Sequence, residues 1–175
     1  IEKILYIPMN LGTQEKQISK EKEFEEDYLK AKYFGIATHY CLEMMNDFTI
    51  DNVDYLLNLA KTRYSNYLDE DDFVDIKNRI LFLINNEKFS SLIKDSEFIT
   101  EQSLVYKEEI KIIDLLLFKE NNYYIIDYKT TKEKSVEHIV QVAHYKKAIK
   151  DIFKTQNVFS YLIYLHSNEV FISEV

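Results

Sequence analysis

The sequence predicts an α/β domain of the α+β kind, with a helical region followed by a β-sheet flanked by helices. Three observations predict it. Apolar residues recur at helical spacing up to about residue 86. From residue 97 the pattern changes to short runs rich in Ile, Leu, Val, Tyr and Phe, bounded by polar turns. One amphipathic segment then interrupts those runs, so the order is helices, three strands, a helix and two strands. At 175 residues this is one domain over 1–175, mainly helical over 21–95, with sheet and helix over 96–175.

Residues 1–20 are mixed in character and read as a loosely attached lead-in. Residues 21–46 carry Phe24, Tyr28, Leu29, Phe34 and Ile36 on a helical period. Asp51–Tyr67 reads as a second helix with Asp51 as its cap. Residues 69–86 read as a third, whose acidic first turn suits the helix dipole. Residues 97–106 alternate in part, as a strand does. Residues 109–118 and 123–129 form a hairpin around Lys119–Asn122. Ser135–Phe153 is an amphipathic helix with Ser135 as cap, and Val158–His166 pairs with Glu169–Val175 around Ser167–Asn168. There is no internal repeat and no low-complexity linker.

Composition narrows the function. No apolar run approaches the roughly 20 residues of a membrane span, and the N-terminus lacks a signal-peptide pattern. The single cysteine, Cys41, excludes an internal disulfide and any four-cysteine metal cluster in this chain. Together these predict a cytoplasmic protein with no membrane partner. The chain begins with Ile1, which predicts a piece of a longer protein. The net charge of −8 argues against holding nucleic acid by a broad basic surface.

The chemistry centres on residues 113–130. Asp114 and Asp127 lie inside apolar strands, where a carboxylate is costly to desolvate without compensation. A hard divalent cation compensates two carboxylates and also does chemistry. Lys129 is two residues from Asp127, so both point to one face of the strand. There it can position a water or offset negative charge. Gln141 and Tyr145 share a helix face, as do Gly35 and His39. Glycine within a helix costs roughly 1 kcal/mol, so Gly35 marks a close approach. His39 can supply a nitrogen ligand. Glu101, in the strand-like run before the hairpin, is either an acidic group of the same site or an exposed edge residue. Read alone, each of these residues also fits an ordinary packed or solvated side chain, Asp114 least of all.

In this order, Gly35-x-x-x-His39, Glu101, Ile113-Asp114, Asp127-Tyr128-Lys129-Thr130 and Gln141-x-x-x-Tyr145 resemble the RecB-type nucleases of the PD-(D/E)XK superfamily. The likeness spans about residues 21–165 and extends to the C-terminal nuclease domain of bacterial helicase–nucleases. It implies a restriction-endonuclease-like core with a central mixed sheet and an added N-terminal helical region. It implies a Mg²⁺-dependent deoxyribonuclease, Mn²⁺ substituting, acting in double-strand break repair. His39, Asp114, Asp127 and the Tyr128 carbonyl would be metal ligands. Lys129, Asp114, Asp127 and Glu101 would be catalytic, and Gly35, Thr130, Gln141 and Tyr145 would meet the substrate. DNA would be the partner, with helicase domains in the full-length chain and a partner subunit. One cysteine implies the branch without an iron–sulfur cluster. One position departs: Lys111 stands where the family usually has glycine.

Three other readings share the pattern. One is a stand-alone phage-type exonuclease. The second is an inactive nuclease-like module for DNA binding or assembly. The third is an acidic structural domain whose carboxylates are satisfied by basic partners; only two arginines, Arg63 and Arg79, are present.

Overall fold

A computed structural model describes residues 11–175, with side chains from residue 23 onward. Four helices come first: α1 (Leu11–Glu43), α2 (Val53–Tyr64), α3 (Glu70–Ile84) and α4 (Glu87–Ile93). The strands β1 (Glu97–Tyr106), β2 (Glu109–Lys119) and β3 (Asn122–Lys129) follow, then α5 (Val136–Phe153), β4 (Val158–Leu165) and β5 (Val170–Glu174). The chain is thus α+β, with a five-stranded mixed sheet in the order β1-β2-β3-β4-β5. Only β3 and β4 run parallel; they are joined by α5, and every other neighbouring pair is antiparallel.

Several element ends differ from the sequence reading. Residues 1–10 of the expected lead-in lie outside the described residues. Residues 11–20 are helical, so α1 starts ten residues before the expected 21. Residues 23–32 are exposed, which leaves apolar periodicity little to report there. Asp51 is not a cap; it lies in a 3-10 turn, Ile50–Asn52, and α2 begins after Asn52 with no side-chain cap bond. Helix α4 was not expected, because seven residues complete barely two turns of periodicity. Asn86 caps it by accepting from Phe89 N–H at 3.1 Å. The start of α3 follows from its first residues. Asp69 accepts from Asp72 N–H at 3.1 Å, and Asp72 accepts from Asp69 N–H at 2.9 Å, a reciprocal capping box. Ser135 caps α5 through Glu137 N–H.

The sheet is covered on both faces. Helices α1–α4 share one apolar cluster with Leu115, Leu117, Ile126, Tyr128 and Ile163, so the helical region and the sheet are parts of one core. On the opposite face Tyr145, Ala148 and Ile149 of α5 pack on Ile113, Leu116 and Ile125. Arg79 of α3 fastens the helices to the carboxyl ends of the parallel strands. Its guanidinium donates to the carbonyls of Thr130 and Leu165 and to Asp75, and lies 4.6 Å from the centre of the Phe34 ring. A buried arginine with this many acceptors is satisfied where it sits.

Two irregularities mark the middle of the sheet. The β2–β3 ladder ends at Leu115↔Ile126, while β2 continues along β1 and β3 continues along β4. The sheet therefore forks. The β1–β2 ladder also skips one position, Glu101 opposite Asp114, and stays in step on both sides of it. The strands change faces there. Phe98, Leu115 and Leu117 pack with the helical cluster, whereas Leu104 and Ile113 pack with α5. Glu101 has a φ of 48°, a left-handed conformation uncommon for a non-glycine residue.

Candidate functional site

The fork opens into a cavity of about 930 Å³. Of the ten residues singled out from the sequence, eight have atoms on its walls: Gly35 and His39 of α1, Glu101 of β1, Asp114 of β2, Asp127 and Lys129 of β3, and Gln141 and Tyr145 of α5. Five elements thus contribute to one concave surface at the place where the sheet divides.

The cavity wall carries an acidic cluster. Ligand atoms of His39, Glu101 and Asp114 all lie within 4.8 Å of one another, a spacing suited to a metal ion. Burial, then the neighbouring charge of Asp127, pushes the Asp114 carboxyl up to about 7, partly offset by its hydrogen bond from Tyr128 N–H. Burial, then Asp114, also raises Glu101. Burial lowers His39, against the pull of Asp127, and so favours its neutral ring. His39 Nε2 lies 3.1 Å from the carbonyl oxygen of Tyr128. A carbonyl only accepts, so Nε2 carries the proton and Nδ1 keeps a lone pair. Nδ1 lies 3.6 Å from Asp114 Oδ1. Two acceptors face each other there, an arrangement that calls for a cation or a proton between them. The donor set, one nitrogen with carboxylate oxygens, fits a divalent ion such as Mg²⁺ or Mn²⁺.

Asp127, whose charge acts on both Asp114 and His39, is 2% exposed. Lys129 Nζ is 2.8 Å from its Oδ2, an ion pair by distance. The angle is poor for a hydrogen bond, so Oδ2 stays without a directed donor. Lys129 instead donates to Gln141 Oε1 at 2.9 Å, and Gln141 Nε2 donates to the Tyr145 hydroxyl at 2.8 Å. The Tyr145 oxygen accepts from Gln141, which leaves its own proton for another acceptor. Burial raises the Tyr145 hydroxyl, and the site's carboxylates raise it further, so it stays protonated.

Three of the expected residues have other partners in the structure. The Tyr128 carbonyl lies 3.1 Å from His39 Nε2. The Tyr128 ring is buried on the helical side of the sheet. Asp127 pairs with Lys129, and the groups that lie within 4.8 Å of one another are those of His39, Glu101 and Asp114. Thr130 is not on the cavity wall. Its Oγ1 would lie 3.3 Å from a Cβ placed on Gly35, and its carbonyl is bound by Arg79. The close approach that Gly35 marks is therefore α1 against the end of β3.

Among the wall residues not assigned to the site from the sequence are two charged ones, Glu43 and Arg63. Glu43 had a signal, because it continues the four-residue spacing of Gly35 and His39 along α1. Arg63 had none. Lys111 of β2 also lines the cavity and pairs with Glu109. No model of a known protein family matches this chain, and no curated protein is similar to it in sequence.

Proposed function

We propose that the chain is a metal-dependent deoxyribonuclease with a restriction-endonuclease-like core, of the RecB type that its motifs resemble. The observation that carries this reading is the convergence of His39, Glu101 and Asp114 at ligand spacing beside a buried Asp127–Lys129 pair. A structural domain would satisfy its buried carboxylates with basic partners. Arg79 is engaged by Asp75 and two backbone carbonyls, and no arginine or lysine pairs with Asp114 or Glu101 among the described residues.

His39, Glu101 and Asp114 would hold a divalent ion, with Asp127 beside them. When bound, the ion withdraws charge from a phosphate and makes a bound water more acidic. The protein's own contribution is positional. Asp127 and Gln141 hold the Lys129 ammonium in the cavity, where it offsets charge on a phosphodiester under attack. Gln141 turns the Tyr145 hydroxyl so that its proton is available to a phosphate oxygen. Water adds to phosphorus and gives up a proton, the bond to one sugar oxygen breaks, and that oxygen takes up a proton in its place.

The test is cleavage of labelled DNA in Mg²⁺ and Mn²⁺ by the wild type, Lys129→Ala and Asp114→Asn. The wild type cuts and neither variant does, while both keep their circular dichroism. A wild type that binds Mn²⁺ but cuts no DNA leaves a metal-binding module in place of a nuclease.

A further inference from the structure

We infer that Arg63 binds a phosphate of the substrate, held in the same cavity as the acidic cluster by the rings of Tyr40 and Tyr64. This rests on the nuclease reading and adds a residue to it.

Arg63 ends α2 on the cavity wall formed by α1 and α2, and its side chain is exposed. Its guanidinium carbon lies 5.1 Å from the centre of the Tyr40 ring and 5.7 Å from that of Tyr64. Both rings belong to the same cavity wall. Contact with ring faces holds a guanidinium without taking up its N–H groups, which can then grip a phosphate in two-pronged fashion.

The other basic residues of the cavity are already engaged. Lys129 is taken up by Asp127 and Gln141, and Lys111 pairs with Glu109. Among the described residues Arg63 makes no ion pair, although Glu43, Glu101, Asp114 and Asp127 share its cavity. A phosphodiester entering a cavity with four carboxylates meets repulsion that a bound ion only partly removes. An arginine held by two rings and free of ion pairs among the described residues supplies attraction, and it does so for a phosphate next to the one being cut. An arginine kept only to cover two tyrosines would be satisfied by stacking, and lysine would replace it poorly in stability rather than in binding.

The test uses the full chain with Arg63→Ala, Arg63→Gln and Arg63→Lys. One measurement is steady-state cleavage of a fluorescent oligonucleotide in Mg²⁺ across a salt series. The other is anisotropy of the same oligonucleotide with Ca²⁺ in place of Mg²⁺. Arg63→Ala and Arg63→Gln should raise KM and weaken binding by about tenfold, with kcat within about twofold. The slope of log affinity against log salt should shrink by about one, and Arg63→Lys should recover part of the loss. Melting temperatures should stay within a few degrees. Unchanged KM and binding in Arg63→Ala overturn the assignment, as does a loss that follows melting temperature across all three variants. A wild type without cleavage overturns the nuclease reading alone. The Ca²⁺ binding series then still decides Arg63, by a tenfold loss or none.

Discussion

The Asp114 carboxylate accepts a hydrogen bond of 2.7 Å from the backbone N–H of Tyr128. That N–H lies just beyond the last β2–β3 pair, Leu115↔Ile126, where the strands have begun to part. A side chain thus supplies the acceptor that a continuing ladder would have supplied. The same carboxylate is held at the mouth of the fork with its second oxygen toward His39.

Asp114 links the metal-free protein's stability to pH. Its carboxyl is raised from an ordinary 3.8 to about 7 in the folded chain. A raised acid binds its proton more tightly folded than unfolded, so stability is lost as pH rises from about 4 to about 7. The loss is on the order of 4 kcal/mol at most. Urea unfolding in chelator should show this slope, and Asp114→Asn should flatten it while keeping an acceptor for Tyr128 N–H. A wild-type curve flat over that range would refute the burial argument. Mg²⁺ should restore stability at pH 7, because the charged carboxylate is the form that binds it.

Lys129 stabilises a carboxylate that is almost fully buried. Lys129→Met should therefore cost about 3–5 kcal/mol, the usual penalty for stranding one member of a buried pair. Adding Asp127→Asn should recover much of that stability without recovering cleavage. If Lys129→Met unfolds at the wild-type urea concentration, something other than the ion pair holds Asp127.

Gly35 and Thr130 form a contact that can be taken apart. An added Cβ meets Thr130 Oγ1 at 3.3 Å, tighter than an ordinary contact. Alanine also gains roughly 1 kcal/mol of helix propensity over glycine. Gly35→Ala alone should be near neutral, with crowding and propensity opposed. In a Thr130→Ala background the same change should stabilise by about 1 kcal/mol. Equal effects in both backgrounds, read from thermal melts, would show that the contact carries no weight.

Cys41 is fully buried, and burial pushes its thiol up to about 12. It should resist a thiol reagent at pH 8 in the native state and react on unfolding. Rapid labelling of the folded protein would mean that the core around α1 opens readily.

Much of the fold was legible in the residues themselves. The Asp69–Asp72 box marks the start of α3 and Ser135 that of α5, because caps are local chemistry within four residues. The hairpin of β2 and β3 and the crossover through α5 follow from apolar runs separated by turns. The start of α1 was not legible, since an exposed helix needs no apolar stripe, and α4 is too short to show one.

The residues that meet in the cavity could be picked out one by one, because carboxylates within apolar strands, a glycine within a helix and a lysine two places from an aspartate are each unusual in their own surroundings. How they meet was decided by the tertiary structure. An apolar hairpin predicts continuous pairing, yet β2 leaves β3 after Leu115, and both β1 and β2 change faces at Glu101 and Asp114. That change brings Glu101 into the trio and leaves Asp127 to Lys129. Arg63 and Glu43 join from the helical layer. Local patterns reflect how each side chain is buried along its own strand or helix. Which side chains share a cavity depends on where the sheet splits, and that is settled by the packing of helices against its two faces.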